Sequence, residues 1–462
     1  MKRLLIHAIL GLAAPLLSQP AAANELLDRY VAEALDANPA LQARSAAATA
    51  SAETAAAARA QRLPGLALNA RYTRADGGRT IDFPAGDLLN GVYATLNQFL
   101  VERGEEPVFP QIENQSIRLL REEEQETRLS LTAPLYAPAL WANADAQTAL
   151  HGARLAEREA YARVLVREVK RAYYGAIQAE AAERILDASI DLLAEDVRVS
   201  QALIQAGKAT RDRELRAEAE RLEVQQRRDE AAVLARQARR RLNILRDRDA
   251  DAPLALPEPS ALARPDAAIA AAAIRPELRQ LDRAIDAADA GRRAAGAASR
   301  PTLALAADYG IQGERYRTGA EDDFGTVSLV LNWSLFDFGQ RRATTRAAAA
   351  EAAQLRAERR ELDHQLELAR WTAAAQLDTA RRAVDAADAR LAAAEEVFRI
   401  AERKRAAASL AQIEFLDAQR ALTEARLNVA IARCTALDRA AELELANAGY
   451  PLPATLVAGT PE

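Results

Sequence analysis

The chain has 462 residues, half of them apolar and only 5% aromatic, and its formal charge of −5 is spread over 61 basic and 66 acidic residues mixed along the length. With no basic block to meet a phosphate backbone, nucleic acid is excluded as the expected partner. Beyond the N-terminus no stretch approaches the roughly 18 uninterrupted apolar residues of a membrane helix, so the rest of the chain can span a membrane only as a β-barrel.

Residues 1–23 open with Lys2 and Arg3, continue through an apolar run from Leu4 to Leu17, and end in Ala21-Ala22-Ala23. These are the parts of a cleavable export signal, with the cut expected after Ala23. A lipoprotein needs a cysteine directly after the cut, and the single cysteine is Cys434. Neither a lipid anchor there nor an intramolecular disulfide is expected, and the destination is the periplasm or the outer membrane.

Past the signal the chain is a tandem repeat. Pro39, in Asn38-Pro39-Ala40-Leu41, stands 25 residues before Pro64 in Leu63-Pro64-Gly65-Leu66-Ala67-Leu68; Pro276, in Arg275-Pro276-Glu277-Leu278, stands 25 before Pro301 in Arg300-Pro301-Thr302-Leu303-Ala304-Leu305. Further on, Leu131-Thr132-Ala133-Pro134-Leu135-Tyr136 is answered 200 residues later by Leu331-Asn332-Trp333-Ser334-Leu335-Phe336, and Leu215-Arg216-Ala217-Glu218 is answered 201 later by Leu416-Asp417-Ala418-Gln419. The offset falls from 237 to 200, which places about 37 extra residues in one loop of the first copy. That loop lies between Tyr72 and Arg128, where Gly77-Gly78, Pro84, Gly86, Gly104, Pro107 and Pro110 are expected to interrupt regular structure. With Glu105, Glu106 and Glu122-Glu123-Glu124 it reads as an outer-surface feature. The first copy spans 24–246, a proline-rich acidic linker 247–265, the second copy 266–448, and a mobile tail 449–462.

Each copy carries two segments of period two. Leu66, Leu68, Ala70 and Tyr72 alternate, as do Leu129, Leu131, Ala133 and Leu135; the second copy has Leu303, Leu305, Ala307 and Tyr309, then Val327, Leu329, Leu331, Trp333 and Leu335. The other faces carry Asn69, Arg71, Ser130, Thr132, Asp308, Ser328, Asn332 and Ser334. Each segment is near the 9–11 residues that cross a bilayer as a tilted strand; a small soluble sheet is the competing reading. Four strands cannot close a barrel, since about eight are the minimum, so a membrane sheet of this kind must oligomerise.

No proline occurs from Pro138 onward to Ala206, nor from Gly339 to Ala408. Each run is expected to be one helix of about 70 residues, roughly 100 Å long. Leu165, Val169, Tyr173 and Ile177, then Leu186, Ile190, Leu193 and Val197, mark a packed stripe with charged flanks. Turns fall near Gly207-Lys208-Ala209-Thr210 and Ala408-Ser409-Leu410-Ala411, with Gly207 suited to a left-handed helix end. Return helices run from Arg211 to Leu245 and from Gln412 to Ala448. A coiled-coil rod without a pore would share these helices.

Across nearly the whole mature chain the landmarks resemble the TolC-like outer-membrane efflux proteins. The likeness is carried by Arg275-Pro276-Glu277-Leu278, Arg300-Pro301-Thr302-Leu303-Ala304-Leu305, the stretch from Trp333 to Arg342 (WSLFDFGQRR), and Phe415-Leu416-Asp417-Ala418-Gln419-Arg420. The resemblance implies a homotrimer: four strands per protomer in a twelve-stranded outer-membrane β-barrel, surrounded by outer-membrane lipid, and a periplasmic α-barrel of long antiparallel helical hairpins. It further implies a periplasmic adaptor and an inner-membrane pump as partners. In the family two carboxylates three residues apart narrow the periplasmic mouth; the matching positions are Glu414 and Asp417, on one helix face. Three copies would make a ring of six carboxylates, attractive to cations; a solvated acidic pair at a helix start is the plainer alternative. The tips around Gly207, Lys208, Arg211, Ala408 and Ser409 correspond to adaptor-docking positions. Ala408 stands where the family has glycine, and Asp212-Arg213 where it has an apolar residue followed by aspartate.

No enzyme is expected. His151 and His364 stand singly inside long helices with no second histidine at metal-ligand spacing, phosphate loops and nucleophile elbows are absent, and Cys434 sits among alanines as a small packing residue. No cofactor and no metal are predicted, so the energy for transport must come from a partner. A periplasmic adaptor, the nearest rival, would show one hairpin flanked by β-rich domains, and a diffusion porin would show many more strands.

Overall fold

The computed structural model describes residues 19–265, 274–319, 321–407 and 409–457. Most of the segment read as an export signal, the start of the second copy and Ala408 lie outside the described residues. In chain order the elements are α1 (Gln19–Ala37), α2 (Pro39–Ala60), β1 (Gly65–Arg74), β2 (Thr80–Phe83), α3 (Ala85–Glu102), β3 (Gln115–Arg118), β4 (Glu123–Tyr136), α4 (Pro138–Gln205), α5 (Arg211–Leu245), α6 (Pro276–Ala297), β5 (Thr302–Gly313), β6 (Asp323–Asn332), α7 (Gln340–Ala406) and α8 (Gln412–Ala446). The described residues form two compact units, one drawn from 19–55, 146–289 and 349–457, the other from 56–145 and 290–348.

The long helices have the lengths expected from the sequence, 68 residues in α4 and 67 in α7, followed by 35 in each of α5 and α8. The repeat extends to individual hydrogen bonds. Four helix ends close with the same backbone bond across five residues: Lys208 N–H to Leu203 O, Arg248 to Asn243, Ser409 to Lys404 and Gly449 to Glu444. Each satisfies a carbonyl that the helix leaves without a partner. The first two recur in the last two at an offset of 201. Asn38 donates its side-chain amide to Leu245 O, closing α5, and Arg275, its counterpart in the second copy, donates to Ala446 O, closing α8.

The helical unit has its main core where α1 meets α4: Leu27, Tyr30, Val31 and Ala34 pack with Leu165, Val166, Val169, Tyr173 and Ile177, joined by Leu242 and Cys434. Burial pushes the Cys434 thiol up to about 12, so it is an uncharged packing group at neutral pH. The first predicted stripe is therefore the core. Farther along α4 the buried positions are Leu186, Ser189, Leu193, Asp196 and Ser200, with Ile190 and Val197 half-buried. This is a 3-4-3-4 seam, and three of its five members are polar; a stripe chosen for apolar residues alone drifts off it.

In the other unit the sheet order is β1-β4-β5-β6, antiparallel throughout, so the two copies join at β4–β5. Three sequence expectations are corrected here. The loop between Tyr72 and Arg128 is irregular only in part: Gly77-Gly78, Gly104, Pro107 and Pro110 do fall outside regular elements, but Gly86 lies within the 18-residue α3, which stands between two short paired strands, β2 and β3. Glu123 and Glu124 belong to β4, which runs to 14 residues. Trp333 and Leu335 do not continue the strand alternation, because β6 ends at Asn332. There Trp333 donates its indole N–H to Ser299 O at 3.2 Å, and Arg341 reaches back to Ser334 O; Phe338 and Gly339 take left-handed backbone before α7 starts.

Candidate functional site

At the first tip α4 ends and the chain turns through Gly207, whose φ of +67° costs glycine nothing. Thr210, in extended conformation, leads into α5, and Asp212 and Glu214 in its first turn complement the helix dipole. The Thr210 hydroxyl donates to Asp212 and lowers the pKa of that carboxyl. Lys208 and Arg211 are exposed, without an ion-pair partner among the described residues. At the second tip Ser409 donates its N–H at 2.9 Å and its hydroxyl at 3.1 Å to Lys404 O.

Glu414 and Asp417 lie in the first turns of α8. Both are exposed, while their neighbours Phe415, Leu416, Ala418 and Gln419 are buried. The helix thus spends one face on its own protomer and turns the two carboxylates away from it. Asp417 is tempered by Arg420, whose guanidinium lies 3.7 Å away and is itself held by Glu220 of α5.

Side chains that the sequence reading did not single out fasten the two tips together. Asp196 of α4 is fully buried and accepts hydrogen bonds from Arg405 of α7 and, at 3.0 Å, from the side-chain amide of Gln412 at the start of α8. The same amide donates to Arg213 O of α5 at 2.9 Å, so one cluster joins all four helices. Arg405 also lies over the Phe415 ring at 4.0 Å, which shields the ion pair from water. Deeper in the hairpins, Gln419 donates to Ser189 Oγ at 2.9 Å, with Thr423 beside them. No sequence signal pairs Asp196 with residues more than 200 positions away; the only local hint is a carboxylate inside an otherwise packed stripe.

The strand unit carries two unlike faces. Leu66, Leu68, Tyr72, Leu129, Tyr309, Val327, Leu329 and Leu331 are exposed on one. On the other, a polar row crosses the sheet: Asn69 donates to Ser130, Ser130 to Asp308 at 2.5 Å, and Thr326 to the second Asp308 oxygen at 3.4 Å. Next to it Arg71 pairs with Glu126 at 2.9 Å. Strands β1 and β6 each have a partner on one side only among the described residues. No described helix is long and apolar enough to cross a membrane.

Residues 269–449, nearly all of the second copy read at 266–448, match the family model of outer membrane efflux proteins. No curated protein sequence is similar enough to be counted a relative. Among solved structures, the chain resembles the CmeC outer membrane channel of Campylobacter jejuni (TM-score 0.76, 15% identity, over 92% of this chain and 86% of that one). It likewise resembles the MtrE outer membrane channel of Neisseria gonorrhoeae (TM-score 0.74, 19% identity, 92% and 89%) and the outer membrane protein VceC of Vibrio cholerae (TM-score 0.74, 16% identity, 94% and 98%). The likeness to TolC-like outer-membrane efflux proteins is thus shown in sequence over the second copy and in fold over nearly the whole chain.

Proposed function

We propose that the chain, exported by a signal cleaved after Ala23, is an outer-membrane efflux channel. It is a passive exit duct, energised by an inner-membrane pump through a periplasmic adaptor. The observation that carries this reading is the four-stranded sheet of membrane-crossing length, apolar on one face and open at both edges. In lipid an open edge leaves backbone groups unpaired at a cost of several kcal/mol each. Pairing β1 of one copy with β6 of the next removes both edges, and three copies give a closed barrel of about twelve strands. The matching family model and the fold of the channels named above support the same assignment.

In this reading Glu414 and Asp417 line the periplasmic aperture, where three copies bring six carboxylates together and favour cations. Gly207, Lys208, Arg211, Ala408 and Ser409 form the tips that meet the adaptor. The test is single-channel conductance of the purified protein in a planar bilayer under a salt gradient, wild type against the Glu414→Gln, Asp417→Asn double variant. Cation-selective openings that lose selectivity in the variant are expected. An indistinguishable variant removes the aperture assignment, and absence of any conductance removes the channel.

A further inference from the structure

Helix α3, in the long loop between β1 and β4, is held as a rigid body by asparagines on one face. Asn90 exchanges two hydrogen bonds of 2.8 Å with the backbone of Ile112, and Asn97, two turns on, exchanges bonds of 2.8 and 3.1 Å with that of Phe109. Asn114 accepts from the Gly86 and Asp87 N–H groups, capping α3 from 27 residues away, and Tyr93 packs on Phe109. The residues opposite, at helical spacing, are Leu88, Val92 and Phe99. They are 63%, 54% and 59% exposed, too much for side chains whose partner is in the same chain.

A fixed apolar ridge of this kind needs a cover. A lipid surface fits poorly: interfacial helices flank their apolar face with Lys and Arg, and the charges within α3 are Asp87 and Glu102. The place of the loop indicates the partner instead. It grows from the end of edge strand β1, with the β1–β4 ladder continued by Ala75 N–H to Glu122 O. By register, the β5–β6 turn lies at the same end of the sheet, since Gly313 pairs with Gln125 and Asp323 with Ile311. When β1 pairs antiparallel with β6 of another copy, that copy's turn comes beside the loop, and it presents Tyr316, exposed, between Arg315 and Arg317. The two arginines also complement Asp87 and Glu102.

We infer that the Leu88, Val92, Phe99 ridge of α3 docks on the β5–β6 turn of a second copy of this chain, clamping adjacent protomers beyond the barrel strands. The inference rests on the oligomeric barrel proposed above. To test it, a benzophenone amino acid is placed at Val92 of the full-length protein and irradiated in whole cells, with the same substitution at Tyr72 on edge strand β1 as the control. A covalent product of twice the chain mass, cross-linked within 314–319 of the second copy, is expected from Val92. Adducts to lipid or to another protein, or no adduct, overturn it. If Val92 fails while Tyr72 captures β6 of a second copy, the clamp falls and the barrel stands; if neither captures a second copy, both fall.

Discussion

Asp196 shows how a single buried charge can decide the state of a tip. Its carboxylate is out of reach of water, and Arg405 and Gln412 supply the hydrogen bonds that make its burial tolerable. Removing one partner of such a pair strands the other, at a cost of about 3–5 kcal/mol. Arg405→Leu is therefore expected to destabilise the tip by that order, while Asp196→Asn, which leaves no stranded carboxylate and keeps one oxygen to accept from Arg405, gives up the bond from Gln412 to the other oxygen and costs less. Amide hydrogen exchange reads the difference: faster exchange confined to the ends of α4 and α7 and the start of α8 is expected for Arg405→Leu, and unchanged exchange there would show that the cluster holds nothing. None of these residues was visible in the sequence as a site. Glu414 and Asp417 stand out in the sequence because their spacing puts both on one helix face and a family motif surrounds them, and α8 leaves both exposed; the aperture they line remains the proposal made above. Asp196, Arg405 and Gln412 meet only after two hairpins have packed, and no local pattern encodes that meeting.

Elements were far more legible than contacts. Proline-free runs, alanine-rich composition and Gly207 located the hairpins to within a residue or two, because helix starts and stops are local events. Helix α3 escaped, since Pro84 and Gly86 look like breakers and its cap, Asn114, comes from beyond the following segment. The strands were found by alternation, yet alternation alone carried β6 past Asn332, where the Trp333 and Arg341 contacts end it. Strand glycines make a sharper test of the pairing. A Cβ on Gly310 would sit 2.3 Å from Thr127 O and 2.7 Å from Arg128 Cα, and backbone atoms of β4 cannot step aside as a flexible side chain can. In β6, a Cβ on Gly325 meets nothing nearer than 3.7 Å. Gly310→Ala is expected to force β4 and β5 apart and cost about 1–3 kcal/mol, lowering the dissociation temperature of the proposed oligomer in detergent; Gly325→Ala is expected to leave it unchanged. Equal behaviour of the two would mean that the β4–β5 register differs from the one described.

At the scale of the whole molecule, in the barrel proposed above, the two faces of the sheet decide which side meets lipid. One face carries Val327, Leu329 and Leu331 in β6, and the other carries Thr326, Ser328 and the Ser130–Asp308 row. Successive residues of a strand point to opposite faces, so neighbours in sequence probe opposite solvents. Leu329→Arg places a guanidinium on the apolar face near the middle of β6. A charge there costs about 2–4 kcal/mol at the bilayer midplane, and a closed barrel of three copies bears that cost three times. Ser328→Arg, one residue away, adds the same charge to the polar face, where water can hydrate it. The expected outcome is an asymmetry: little assembled oligomer in the outer-membrane fraction for Leu329→Arg, near wild-type recovery for Ser328→Arg, and unchanged helical circular dichroism for both, because α4 to α8 do not depend on β6 for their hydrogen bonds. A soluble sheet packing its apolar face on protein would also reject Leu329→Arg, but its product would appear in the soluble fraction. Equal recovery of both variants would mean that neither face meets lipid, and the barrel would lose its physical basis.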